Sequence, residues 1–181
     1  MNRLTRGRMA VIAVVGLAAL VFSAMALAAV KTKTFSTGSI SRAIKDQNVL
    51  FQKINVRRHG SLRDLDVAVR ADHTEIEDLT LLLESPQGRF VKLFTNAVSG
   101  ADLGSGADSC SGTPTVFDDE AANPVQTGTA PLAGHFRPEQ SLSRFNRRQI
   151  HGKWTLIISD GDGSDSGTLF CARLHMKYRT G

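Results

Sequence analysis

His73 lies among groups that could assist proton transfer: Asp72 precedes it, Thr74 follows, and Asp78 lies five residues on. An imidazole oriented by a carboxylate is the raw material of general acid–base catalysis. Nearness in sequence is weak evidence for that geometry, however, and a polar turn at Asp72-His73 is what the local pattern suggests. Carboxylates also crowd into Asp160-Gly161-Asp162-Gly163-Ser164-Asp165 and into Asp118-Asp119-Glu120. Hard oxygen ligands at this density suit calcium. The EF-hand template is not met, because its sixth position needs Gly and its twelfth Glu, where this chain has Asp165 and Cys171. The plainer reading is a solvated, empty Asp-Gly turn; the alternative is an irregular calcium loop from Asp160, Asp162 and Asp165, joined by Asp118, Asp119 or Glu120.

The chain has two cysteines, Cys110 and Cys171. In an oxidising compartment an even count favours a disulfide, whose loop closure stabilises by about 4 kcal/mol in the chain-entropy model. Two thiols so far apart in sequence make a poor metal site. Neither a Gly-x-Ser-x-Gly elbow nor a His-Glu-x-x-His motif occurs.

The elements that must hold these groups have a period of two. Leu62, Asp64 and Asp66 alternate with Leu65, Val67 and Val69, followed by a polar turn at Asp72-His73. Leu79, Leu81 and Leu83 share one face, Ser85-Pro86-Gln87-Gly88 reads as a tight turn, and Val91 and Leu93 return on one face as a hairpin. Residues 97–134 are a long irregular segment of the kind that is functional or pinned, and Cys110 supplies a pin. Strand character resumes at residues 153–158, where Trp154, Leu156 and Ile158 share a core-facing side, and again at residues 168–178. In that last strand Ala172, Leu174, Met176 and Tyr178 should face the core, leaving Cys171 outward beneath the long loop. Short strands, Gly/Pro/Asp turns and no long helical period after residue 30 predict an all-β sandwich.

The amino-terminal segment is of another kind. Arg3, Arg6 and Arg8 precede residues 9–30, which carry no charge and end in small residues with A-x-A sites at Ala24-Met25-Ala26 and Ala26-Leu27-Ala28. This is the layout of a signal peptide over residues 1–28, with an uncleaved membrane anchor as the alternative. Residues 29–48 read as a polar arm or a first edge strand. The chain is 41% apolar, 22% charged and +5 overall; without residues 1–28 it loses three arginines and stands at +2. Arg57-Arg58 and Arg147-Arg148 are its only adjacent arginine pairs beyond that segment, which argues against nucleic-acid binding. The expected location is secreted or periplasmic.

An ordered set of motifs carries a family resemblance: Asp64-Leu65-Asp66-Val67, Asp72-His73-Thr74, Asp78-Leu79, Ser85-Pro86-Gln87-Gly88, then Val116-Phe117-Asp118-Asp119-Glu120-Ala121. Phe136-Arg137-Pro138-Glu139, Leu142-Ser143, Phe145, Gly152-Lys153-Trp154-Thr155-Leu156, Asp160 and Gly167-Thr168-Leu169 complete it. The chain resembles, over about residues 36–178, the P domain (P/Homo B domain) of kexin- and furin-like subtilisin proteases. The resemblance implies a jelly-roll-like β-sandwich of about eight strands, with Asp72, His73, Thr74, Asp78, Arg137, Pro138, Glu139 and Trp154 in structural roles. It also implies calcium use and a stabilising role beside a catalytic domain that holds the protease triad. Residues 1–35 are too few for that domain, and no catalytic residue is expected in this chain. One departure stands at Ala172, where the family has Trp; Phe170 or Met176 is expected to fill the space. The cluster from Arg144 to Arg148 resembles a kexin cleavage site, with a solvated loop as its plainer reading.

The leading expectation is therefore a non-catalytic exported module that binds a partner protein, in particular a separate subtilisin-like protease. The alternatives are a serine endopeptidase or other secreted hydrolase, and a glycan- or ligand-binding jelly roll, which the single Trp and single Tyr disfavour.

Overall fold

Period-two alternation leaves each strand with one apolar face, and two such faces must be buried against each other. The computed structural model describes residues 29–180, so the signal or anchor expected over residues 1–28 lies outside the described residues. Ten strands form among the described residues: β1 Val30–Ser36, β2 Arg42–Ile44, β3 Val49–Val56, β4 Ser61–His73, β5 Leu79–Glu84, β6 Phe90–Thr95, β7 Thr115–Phe117, β8 Gly134–Phe136, β9 Gly152–Asp160 and β10 Gly167–Arg179. The first sheet runs β1-β10-β4-β7-β8, with β2 also on β10, and the second runs β3-β9-β5-β6. The orders β2-β10-β4-β7 and β3-β9-β5-β6 are those of an eight-strand jelly roll. β1 and β8 extend the edges of its first sheet.

The core fills the space between the sheets. β4 contributes Leu65, Val67, Val69 and Ala71, β9 contributes Trp154, Leu156 and Ile158, and β10 contributes Ala172, Leu174, Met176 and Tyr178. Two register shifts between β4 and β10 correct a strict alternation. One, between Lys177 and Tyr178 opposite Asp64 and Leu62, lets Leu62 and Leu65 both reach the core although they are an odd number apart. The other, between Leu169 and Cys171, does the same for Leu169 and Ala172.

Two local expectations change, and the Arg144–Arg148 cluster takes the plainer of its two readings, with its arginines exposed. Asp72-His73 is the end of β4 rather than a turn; the chain turns afterwards, through the 3-10 segment Ile76–Asp78. Beside Ala172, Met176 packs in the core, but Phe170 lies outside the core cluster and meets the Arg70 guanidinium 5.3 Å from its ring centre. The register shift turns Phe170 away, so it does not fill the missing Trp volume. The Arg144–Arg148 segment is held against β4, with Arg147 N–H donating to Leu62 O at 2.8 Å and Leu62 N–H donating to Arg148 O at 2.9 Å. Its backbone is thereby engaged rather than free to lie extended in a protease cleft.

Candidate functional site

The inward positions of β4 and β9 end on polar residues. After Val67, Val69 and Ala71 comes His73; after Trp154, Leu156 and Ile158 comes Asp160. Both side chains are fully buried, with His73 Nε2 3.1 Å from Asp160 Oδ2. An ionised Asp160 can only accept, so Nε2 carries the proton. Nδ1 faces the Glu75 backbone, whose carbonyl is 2.8 Å away and whose N–H is 3.3 Å away. That backbone therefore offers an acceptor to an imidazolium and a donor to a neutral ring.

The surrounding groups fix the ring's seat. Asp102 accepts from His73 N–H at 3.1 Å, and Asp72 accepts from Thr168 N–H at 2.7 Å. Thr74 donates to Asp165 at 2.5 Å. A Cβ on Gly167 would stand 2.1 Å from Asp72 O and 2.6 Å from His73 Cδ2, so only glycine lets β10 pass this close. Gly100 and Glu77 N–H groups hold the Glu75 carboxyl below its ordinary range. Asp78 is raised by desolvation and then by the neighbouring Asp162, Asp165, Asp160 and Glu75 charges. A groove of about 480 Å³ opens beside Asp72, Thr74, Asp102 and Thr168. No hydroxyl or thiol nucleophile bonds the ring among the described residues; both nitrogens are occupied by Asp160 and Glu75.

The six acids proposed for calcium divide between the two ends of β4. Asp160 is taken up by His73 and Asp165 by Thr74, whereas β7 sets Phe117 opposite Val67 and so brings Asp118–Glu120 to the other end of the strand. Seven residues of extended chain between Asp66 and His73 span roughly 23 Å, so the two groups do not share one loop. Asp119 caps the 3-10 turn Leu142–Phe145, accepting from Leu142 N–H and Ser143 N–H, each at 2.8 Å, and from the Ser141 hydroxyl. Asp118 accepts from the His135 ring at 3.0 Å. Burial raises Asp118, but hydrogen bonds from His135 and from Glu120 N–H outweigh it and leave the carboxyl below its usual range.

Glu120 instead meets Asp64 and Asp66, two residues absent from the sequence-based calcium set. One carboxylate oxygen from each of the three lies within 4.8 Å of the others, a spacing a divalent cation can bridge. Burial first, then the charges of Asp118, Asp64 and Glu120, push Asp66 up to about 6. The Asp-x-Asp spacing on β4 was the available signal, since i and i+2 share a face.

Cys110 and Cys171 form the disulfide, with Cα atoms 5.1 Å apart. Cys171 lies outside the core cluster yet is buried, because the long loop covers it. Arg70, which sequence reading passed over, helps hold that cover: its Nη2 donates to Gly106 O at 3.1 Å and to Asp108 at 2.9 Å. Arg137 N–H donates to Asn123 O, and Glu139 N–H to Leu93 O. Pro138 lies between them. Trp154 donates to Ile150 O at 2.9 Å and packs edge-on to Phe145 at 5.0 Å.

Fold and site together define a jelly-roll module whose buried polar residues tie strands and loops together. The proprotein convertase P-domain model matches residues 62–176, and the chain belongs to that family. Among solved structures it is similar to the Aeromonas sobria serine protease in complex with a chaperone, at 14% identity and a TM-score of 0.55, over 84% of this chain and 28% of that one. The same serine protease in a second structure matches at 13% identity and a TM-score of 0.53, with the same coverages. This chain thus spans little more than a quarter of those proteins. No curated protein matches the chain.

Proposed function

We propose that this chain is a non-catalytic, exported P-domain module that docks on and stabilises a partner protein, a separate subtilisin-like serine protease being the partner its family favours. The observation carrying this reading is the engagement of His73 on both ring nitrogens inside the fold, in a domain whose family accompanies proteases. Family and disulfide together favour an extracellular or periplasmic setting.

The outer face of the second sheet supplies a surface for such a partner. Phe51 on β3, Ile157 on β9 and Leu82 on β5 stand in one row across the sheet, pointing away from the core cluster, and the row ends at Lys92 on β6. Phe51 is 57% exposed and Phe90 on β6 is 49% exposed, so an aromatic stands at each edge strand of this sheet. Calcium enters this reading through Asp64, Asp66 and Glu120, whose oxygens converge as the other acids do not.

Affinity capture of the tagged full chain from exported fractions of its own host, with and without a calcium chelator, tests the reading. Stoichiometric recovery of a subtilisin-like protease is expected. Recovery of the chain alone, indifferent to chelator, would sink it.

A further inference from the structure

A second surface lies at the end of the sandwich where Ala29 and Val30, the last residues of the uncharged run, join the fold. β1 edges the first sheet and β3 edges the second, and a groove of about 520 Å³ opens between β1, the connection that leaves β3, and the end of β10. Its lining contains Lys31, Lys33, Arg57 and Arg58 and no acid. Four cations on one groove contrast with a net charge of only +2 for the chain beyond residue 28.

The fold builds this concentration from distant pieces. Lys31 and Lys33 sit opposite Tyr178 and Met176 in the β1–β10 register. Arg57 and Arg58 lie in the connection from β3 to β4, which is drawn against the end of β10 at Gly60. There φ is +154°, and a Cβ would come within 2.6 Å of the Tyr178 ring and 2.8 Å of Arg179 O. Gln149 Oε1 accepts from Gly60 N–H at 2.7 Å, and His59 stacks on His151 with ring centres 4.1 Å apart. The basic connection is thus held in place from three sides.

The position of the groove identifies its partner. Thr180, which also lines it, donates from its N–H to Ala29 O at 2.9 Å and from its hydroxyl to the same oxygen at 3.2 Å. The uncharged run therefore joins the fold at the groove's own lip. Where that run is kept as an anchor rather than cleaved, Lys31 and Lys33 follow it within three residues in the chain, and the groove sets Arg57 and Arg58 beside them. Anionic headgroups attract such juxtamembrane cations within a Debye length of the surface. Nucleic acid fits less well, because Tyr178 is the one aromatic among the lining residues besides His59 and is buried, leaving no platform for base stacking.

We propose that the Lys31–Lys33–Arg57–Arg58 groove binds the phosphate headgroups of an anionic phospholipid bilayer and lays this end of the sandwich on the membrane. The test is co-sedimentation of the full chain with phosphatidylcholine vesicles and with mixed phosphatidylcholine–phosphatidylglycerol vesicles. Three proteins are compared: wild type, K31S/K33S/R57S/R58S, and a charge-matched control, R42S/K45S/R89S/R144S. Arg3, Arg6, Arg8 and the apolar run are common to all three, so they cancel in the comparison.

The wild type should prefer anionic vesicles by at least about tenfold, and salt should erode that preference. The groove variant should lose most of the preference and the control should keep it, with unchanged thermal unfolding in both. Equal losses in the two variants would reduce the effect to net charge and overturn the proposal. An unaffected groove variant would overturn it too. Groove-dependent binding to polyglutamate that exceeds binding to anionic vesicles would also overturn it, assigning the surface to an acidic protein.

Discussion

His73 Nε2 and Asp160 Oδ2 meet at 3.1 Å across the interior, joining the last inward residue of β4 in one sheet to the last inward residue of β9 in the other. The apolar layer between the sheets ends in this one polar contact. Removing either partner leaves the other buried without its bond, which costs about 3 kcal/mol. His73→Leu should therefore lower the unfolding free energy from urea titration by that amount, and Asp160→Leu likewise. The double variant should be less destabilised than the sum of the two. Additive losses would show that the two groups act separately.

The Cys110–Cys171 bond closes a separation of 61 residues. In the chain-entropy model its loss costs about 4 kcal/mol. Cys110→Ser with Cys171→Ser should lower stability by that order. It should also hasten amide exchange in the loop around Gly106 and Asp108, which would then be held chiefly by Arg70. A fall in global stability with no change in loop protection would contradict the clamp.

Asp66 gives the folded state a pH dependence. Its carboxyl is raised from 3.8 to about 6, so the folded state holds this proton more tightly than the unfolded chain. The associated stabilisation is present below about pH 4 and is lost as pH rises through about 6. After allowance for solvent screening, Asp66→Asn should stabilise by about 1 kcal/mol at neutral pH in chelator and by almost nothing near pH 4. Calcium bridging Asp64, Asp66 and Glu120 would reverse the order, raising the melting temperature of the wild type above that of the variant. A wild-type melting temperature indifferent to calcium would remove the cation from this cluster.

Phe51 stands on the outer row of the second sheet that is proposed to face the partner. Phe51→Asp should leave thermal unfolding within about 0.5 kcal/mol of the wild type, because the side chain lies outside the core. Protease recovery in affinity capture should fall at least tenfold. Full recovery by the variant would move the docking surface elsewhere.

Alternation along β4, β5, β9 and β10 was enough to establish the all-β sandwich and most of its core, because the direction of a strand side chain is a local property with a period of two. The ordered motifs were enough for the family, and two cysteines admit one intramolecular pairing. Tertiary structure decided the rest through contacts remote in sequence. The register shift beside Leu169 turned Phe170 outward onto Arg70, and pairing of β7 with β4 brought Glu120 to Asp64 and Asp66 rather than to Asp160. The basic groove arose in the same way. Lys31 and Arg57 are ordinary surface residues in their own segments, and they become neighbours only because the edge strands β1 and β3 close the same side of the sandwich.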